Sequence, residues 1–99
     1  MKRLLFAFIA VLVSVSALAQ TVDVKGTVFD ENGWPLTGAY VLQQGTSNGT
    51  LTDLDGNFEL KAPKGSVLEV TFMGYLTFTA TVQSSEPMTI NLQPDALMM

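Results

Sequence analysis

Two aspartates separated by one residue are the feature of this sequence that comes closest to a chemical site. Asp53 and Asp55 are followed by Gly56 and Asn57. Carboxylate and amide oxygens at alternate positions are the ligands of calcium loops, but an EF-hand also needs a glutamate at its twelfth position. Counted from Asp53, that position is Lys64. We therefore interpret the segment as a turn in which an aspartate bonds its own backbone, with a weak calcium site through Asp53, Asp55 and Asn57 as the alternative.

Most other catalytic chemistry is excluded by composition. The sequence contains neither histidine nor cysteine, which removes Ser-His-Asp and Cys-His catalysis and the usual zinc ligand sets. Hydrolysis by two carboxylates would have to use Asp53 and Asp55, which are paired only by sequence proximity. The run from residue 45 to 49 lacks the Lys-Ser/Thr partner of a phosphate-binding loop. We therefore predict a protein that is not an enzyme and that needs no cofactor and no metal.

Three aromatic residues are the candidate contacts for a ligand or a partner: Trp34, Tyr40 and Tyr75. Trp34 follows a turn signal. An exposed tryptophan there would stack on a sugar or anchor a protein interface. The alternative, which we prefer, is that Trp34 caps the open end of the core. Tyr75 follows Gly74 and is expected to pack at a strand corner.

The first residues have the organisation of an export signal. Two basic residues precede an uncharged stretch from residue 4 to 19 that ends in small side chains. This order is typical of a secretory signal, and Ala17 and Ala19 fit the small positions before the cut. We predict that residues 1–19 are a signal peptide, cleaved before Gln20. A transmembrane anchor is the alternative, but 16 uncharged residues are fewer than the roughly 20 that a bilayer requires.

The remaining 80 residues are acidic and free of cysteine. They contain three basic and nine acidic residues, a net charge of −6. Such a charge disfavours nucleic acid, which needs clustered lysine and arginine. Without cysteine, export brings no disulfides, and no lipid can be attached at the cleavage site. We expect one small domain over residues 20–93 and a short tail over residues 94–99.

Alternation of apolar and polar residues is the main structural signal. In residues 76–82, four apolar side chains alternate with three threonines, which is typical of a half-buried strand. No helical periodicity recurs. Seven short strands separated by turn residues predict an all-β sandwich. The predicted strands are residues 22–29, 39–44, 50–53, 57–61, 67–73, 76–82 and 88–93.

Several turn residues carry more specific predictions. Asp30 to Gly33 is a turn signal, and Asn48-Gly49 predicts a tight hairpin because both residues tolerate positive φ. Gly26 lies in the apolar face of the first strand and indicates a bulge or a close backbone approach. We expect residues 93–99 to be loosely ordered.

Several short motifs follow one another in an order that resembles a known family. The ordered series is specific, although no single motif is, and it resembles the carboxypeptidase-regulatory-like domain. More narrowly, it looks like the N-terminal extension of SusC/RagA-type TonB-dependent outer-membrane receptors. The resemblance covers residues 22 to about 92. Its motifs are Val24–Asp30, Gly33–Ala39, Gly45-Thr46, Gly49-Thr50, Thr52-Asp53, Asp55–Phe58 and Phe72–Tyr75.

The resemblance implies a fold, a compartment and partners. The fold is a seven-stranded, transthyretin-like or immunoglobulin-like sandwich that is not catalytic. In those receptors it lies in the periplasm, ahead of a plug and a large β-barrel that imports glycans or peptides with energy from the inner-membrane TonB complex. The implied partners are outer-membrane receptor components or a glycan.

The sequence departs from the receptors after the domain, since it ends at Met99 without a segment resembling a TonB box or a plug. We expect that this polypeptide is not itself a transporter, because a barrel needs at least eight spanning strands. One hypothesis is an exported interaction or accessory module of the periplasm, either stand-alone or the start of a truncated receptor. The other is a glycan-binding module. Exposed edge strands could also pair with another protein.

Overall fold

The computed structural model describes residues 20–97, and this span contains seven strands and no helix. The predicted signal peptide lies outside the described residues. The all-β fold and the number of strands are confirmed. The strands are β1 Thr21–Phe29, β2 Tyr40–Gln43, β3 Gly49–Leu51, β4 Asn57–Pro63, β5 Val67–Thr71, β6 Phe78–Thr81 and β7 Met88–Asn91.

The strands form two sheets that pack as a sandwich. One sheet has three strands in the order β4-β1-β7, and the other has four in the order β3-β2-β5-β6. β1 and β7 run parallel, while all the other ladders are antiparallel. Isolated bridges join Phe29 to Pro35 and Tyr75 to Pro94 outside these strands.

The core consists of the inward-facing residues of both sheets. In β4, every second residue is buried, because successive side chains of a strand point to opposite faces. The predicted alternation therefore places the apolar faces correctly. Twelve apolar residues are buried: Val24, Val28, Ala39, Val41, Phe58, Leu60, Ala62, Leu68, Val70, Val82, Ile90 and Leu92.

Gly26 marks a close approach of an aromatic ring. The ladder runs without interruption through Gly26, which pairs with Phe58 on one side and Met88 on the other. There is no bulge at this position. A Cβ added at Gly26 would lie 2.6 Å from Cε1 of Phe58 and 2.9 Å from the carbonyl oxygen of Met88. The glycine therefore makes room for the buried Phe58 ring.

The hairpin between β2 and β3 differs from the prediction. The turn is centred on Gly45, which has a φ of 79°, and the amide of Thr46 donates to the carbonyl of Gln43 over 3.1 Å. Asn48 and Gly49 do not have positive φ, so the predicted tight turn is wrong. The side chain of Asn48 instead donates to the carbonyl of Lys61 over 2.7 Å. A longer loop lets this side chain tie the hairpin to β4.

The predicted loose tail is also wrong over its described part. The amide of Leu76 donates to the carbonyl of Gln93 over 2.8 Å, and the amide of Asp95 donates to the carbonyl of Gly74 over 2.9 Å. The segment after β7 is therefore fixed against the turn between β5 and β6. Gly74, with a φ of 86°, makes that turn. It ends β5 at Thr71, two residues earlier than predicted.

Thr52 is the buried polar side chain of the described span, with 5% of its surface exposed. Its hydroxyl donates to the carbonyl of Leu36 over 2.5 Å and accepts the amide of Ala39 over 2.9 Å. The main chains of Thr52 and Ala39 are also bonded over 2.9 Å. One hydroxyl therefore satisfies two backbone groups where the β1–β2 loop crosses to the second sheet.

Replacing this hydroxyl by a methyl group should lower the free energy of unfolding. Thr52→Val keeps the shape but leaves the buried amide of Ala39 without that partner, at a cost of about 1–3 kcal/mol. Thr52→Ser keeps the hydroxyl and should cost less. Urea denaturation followed by circular dichroism gives both free energies of unfolding. A valine variant as stable as the serine variant would contradict this role.

Candidate functional site

The loops divide into two ends of the sandwich with different chemistry. The antiparallel and parallel registers place residues 30–39, 52–56, 72–77 and 92–97 at one end, which we call the apolar–acidic end. Gln20 and residues 44–48, 64–66 and 82–87 lie at the other, which we call the polar end.

The large exposed apolar side chains of the described span are concentrated at the apolar–acidic end. Leu54, Met73 and Leu97 have 85%, 88% and 97% of their surface exposed. Tyr40 and Leu51 are partners across the β2–β3 ladder at the strand ends next to it. Within residues 20–97, none of the large exposed apolar side chains lies at the polar end. The full set is Trp34, Tyr40, Leu51, Leu54, Met73, Leu76 and Leu97.

Charge is distributed with the same asymmetry. The loops of the apolar–acidic end contain five carboxylates and, over the same residues, no lysine or arginine. The polar end has one of each sign, Lys64 and Glu86. The other charged side chains lie on strands. Asp23 is the ladder partner of Lys61 and Lys25 that of Glu59 across β1 and β4, and Glu69 lies on β5. The carboxylates of the apolar–acidic end are Asp30, Glu31, Asp53, Asp55 and Asp95.

Two of these aspartates build loops of the same design. Oδ1 of Asp30 accepts the amides of Asn32 and Trp34 at 2.8 and 2.9 Å. Oδ1 of Asp53 accepts the amides of Asp55 and Asn57 at 3.0 and 2.9 Å. Each aspartate is thus committed to its own loop, as predicted for Asp53.

A glycine of positive φ completes each of these loops. Gly33 has a φ of 81° and Gly56 a φ of 77°. Gly56 is also confined, because a Cβ there would lie 2.7 Å from the carbonyl oxygen of Val28. The second loop is therefore held against the end of β1, next to the first.

This geometry favours a structural role for the Asp53 segment. An oxygen that accepts two amide protons offers little to a cation. Within residues 20–97, no group of three or more acidic side chains is arranged to hold a metal ion. The alternative of a weak calcium site through Asp53, Asp55 and Asn57 stays a prediction.

Trp34 is 69% exposed and lies outside the buried core. The preferred interpretation, that it caps the core, is therefore wrong. The hydrogen bonds that the amides of Asn32 and Trp34 donate to Asp30 fix the backbone of this loop, and the adjacent Pro35 bridges to Phe29. The indole is thus presented to solvent by a constrained loop.

The two tyrosines occupy different positions at the same end. Tyr75 is half-buried at a strand corner, as predicted, and its ring lies 5.8 Å from that of Phe72. Tyr40 is partly exposed and covers Gly49, where an added Cβ would lie 2.6 Å from the tyrosine hydroxyl oxygen. Tyr40 also lines a shallow depression with Met73.

Tyr75 of the β5–β6 turn lies within the electrostatic influence of the acidic loop that contains Asp30 and Glu31. The pKa of Tyr75 is raised because the nearby carboxylate of Glu31 favours the protonated phenol, because the ring is partly withdrawn from water, and because the charges of Glu31 and Asp30 disfavour a phenolate. The structure thus brings the loop of Trp34 next to Tyr75. Sequence reasoning did not identify Glu31 as part of this contact.

An open groove of about 570 Å³ lies beside β3 and β4. Its lining includes Lys25, Asp53 and Glu59. Asp53 is committed to its loop, and Glu59 lies opposite Lys25 across the β1–β4 ladder.

The sequence matches a known protein family. The family model for the CarboxypepD_reg-like domain matches residues 24–99. The chain belongs to the CarboxypepD_reg-like domain family. This membership confirms the resemblance drawn from the sequence motifs.

Curated relatives of this CarboxypepD_reg-like chain are TonB-dependent receptors. The receptor SusC of Bacteroides thetaiotaomicron is 46% identical over 74 residues, which is 75% of this chain and 7% of the receptor. The receptor P3 of Formosa agariphila is 32% identical over 97 residues, which is 96% of this chain and 10% of the receptor. The chain therefore spans 7–10% of the length of the curated relatives that it matches.

Solved structures agree on the fold. A chain of a type II Cohesin-X-Dockerin complex from Acetivibrio cellulolyticus, an N-terminal interface mutant, superposes with a TM-score of 0.60 and 22% identity. The match covers 74% of this chain and 58% of that chain. Within residues 20–97, no helix has the length and apolar character needed to cross a bilayer.

The titration of Tyr75 tests the contact with Glu31. In a Tyr40→Phe background, Tyr75 is the remaining tyrosine, so its phenolate can be followed by ultraviolet absorbance. Glu31→Gln removes the negative charge and should lower the pKa of Tyr75 toward about 10. An unchanged or higher pKa in the glutamine variant would contradict the contact.

The same contact fixes the sign of a pH effect on stability. Because the folded pKa lies above the unfolded one, the stabilisation is complete below about pH 10 and is lost as pH rises through the folded pKa. Tyr75→Phe should remove this alkaline component. Urea denaturation at a series of alkaline pH values measures it.

Proposed function

We propose that this chain is exported and acts in the periplasm as a non-enzymatic interaction module of a TonB-dependent outer-membrane nutrient receptor. It would serve either as the N-terminal domain of such a receptor or as an accessory protein beside one. The observation that carries the proposal is the 46% identity with part of SusC over three quarters of the chain.

The geometry supports binding over catalysis. The carboxylates that define the apolar–acidic end include Asp30 and Asp53, whose Oδ1 atoms are occupied by backbone amides. The sequence offers no histidine or cysteine as a base or nucleophile. The described residues instead present an exposed apolar surface on rigid loops, and such surfaces are typical of protein interfaces.

Export is tested by fractionation. The full chain with a C-terminal epitope tag, produced in a Bacteroides host, should appear in the periplasmic or outer-membrane fraction. Mass spectrometry should find Gln20 as its first residue, since small side chains at Ala17 and Ala19 permit cleavage. The control replaces both alanines by arginine and should retain the leader. Recovery of the tagged chain in the cytoplasm with residues 1–19 intact would contradict the proposal.

A glycan-binding module is the second candidate, and the exposure of Trp34 is what favours it. Trp34 is the sole tryptophan of the sequence, so its fluorescence reports directly on a sugar stacked against it. Titration with oligosaccharides should shift that fluorescence if this candidate is correct. Calorimetry with Trp34→Ala is the control and should show no binding heat. No shift at millimolar sugar would remove this candidate.

A further inference from the structure

We propose that the apolar–acidic end is a docking surface for a protein that presents an apolar patch surrounded by lysine and arginine. The partner is the receptor body, which we define as the part of the TonB-dependent receptor outside the region that this chain matches. The proposal rests on the proposed function and adds to it a face, a partner chemistry and a set of contact residues. The contact residues are Trp34, Leu54 and Met73, with Glu31 and Asp55 as their charged surround.

The apolar part of the surface is held in a fixed shape. The hydroxyl of Thr37 donates to the carbonyl of Leu54 over 3.3 Å, which joins the β1–β2 loop to the β3–β4 loop. The β5–β6 turn is fixed against the segment after β7, because the amide of Leu76 donates to the carbonyl of Gln93 over 2.8 Å. Leu54 and Met73 therefore project from loops that are already ordered, so docking would lose little conformational entropy.

The charges select among possible occupants. A second copy would bring its own five carboxylates against this end, and an anionic membrane would be repelled in the same way. A basic protein surface is attracted, and its lysines and arginines would face acidic groups at the rim. The polar end, with one lysine and one glutamate and no large exposed apolar side chain, offers neither feature.

The path of the chain favours the receptor body as the occupant. The segment after β7 passes along Gly74 and Leu76 and brings Leu97 to the apolar–acidic end. The matched part is 7% of SusC, so most of that receptor lies outside it. In such a protein, whatever follows the domain begins beside this surface, so the local concentration of the partner is high.

Binding in trans provides the test. The mature chain, residues 20–99, is titrated against SusC purified in detergent without the region that this chain matches. Light scattering or a labelled chain gives the affinity, which should weaken about fivefold or more between 50 and 300 mM NaCl because screening shortens the reach of the rim charges. Full-length SusC, which retains its own matched region, should bind more weakly.

Paired variants assign the face. Met73→Ser and Leu54→Ser should each weaken binding about tenfold, as expected for apolar side chains at the centre of an interface. Glu31→Gln and Asp55→Asn should reduce the salt dependence. Lys64→Ser and Glu86→Gln at the polar end are the matched controls and should bind within about twofold of the parent chain. Circular dichroism and urea denaturation confirm that each variant is folded.

The outcomes separate the two proposals. Binding by the parent chain that the variants at Leu54 and Met73 leave unchanged would overturn the docking surface and leave the proposed function standing. No binding of the parent chain at about 100 μM, a weak limit for an interface of this kind, would overturn both. Self-association in sedimentation, or binding to phosphatidylglycerol vesicles, that Met73→Ser abolishes would assign the surface to another occupant and overturn the proposal.

Discussion

The two sheets of this sandwich are held together by one shared apolar layer, and the rest of the structure depends on that layer. Main-chain ladders run within each sheet, and the sequence contains no cysteine for a disulfide. Fully buried side chains such as Val41 and Leu68 from one sheet face Val24 and Ile90 from the other. The loops at both ends of the sandwich must therefore exclude water from this layer.

The loops at the apolar–acidic end meet this requirement with local hydrogen bonds. Thr52 satisfies the backbone where the chain crosses between sheets, and Asp30 and Asp53 each satisfy two amides of their own loop. Because Leu36, Phe72 and Tyr75 of these loops already pack against the core, it does not need the remaining apolar side chains for its closure. Leu54 and Met73 are left exposed on a rigid support, and it is this separation of tasks that makes the end suitable for docking.

The sequence predicts the strands well because period-two alternation reflects burial directly. The faces of β4 and β5 and the role of Asp53 follow from local patterns alone. The errors arise where a distant contact decides. Asn48-Gly49 has the sequence of a tight turn, but the side chain of Asn48 donates a hydrogen bond to the carbonyl of Lys61 on β4. The segment after residue 93 has no pattern of its own and is ordered by Gly74.

The candidate surface was only partly predictable for the same reason. Trp34, Tyr40 and Tyr75 are conspicuous as aromatic residues, but the sequence does not show which of them is exposed. Leu54 is an apolar residue inside a turn segment, and that contradiction between type and position is the signal that the sequence offers. Met73 offers no such signal, because the sequence predicts it at the end of a strand, whereas β5 ends at Thr71. Their common location, and the lack of lysine and arginine around them, emerge only when the topology brings four separate segments to one end.

Hydrogen–deuterium exchange of residues 20–99, alone and with the receptor body, tests the central claim most directly. The account predicts slower exchange in the loops around Trp34, Leu54 and Met73 and unchanged exchange in residues 44–48 and 83–87. Protection confined to residues 44–48 and 83–87, or to the outer face of either sheet, would contradict it.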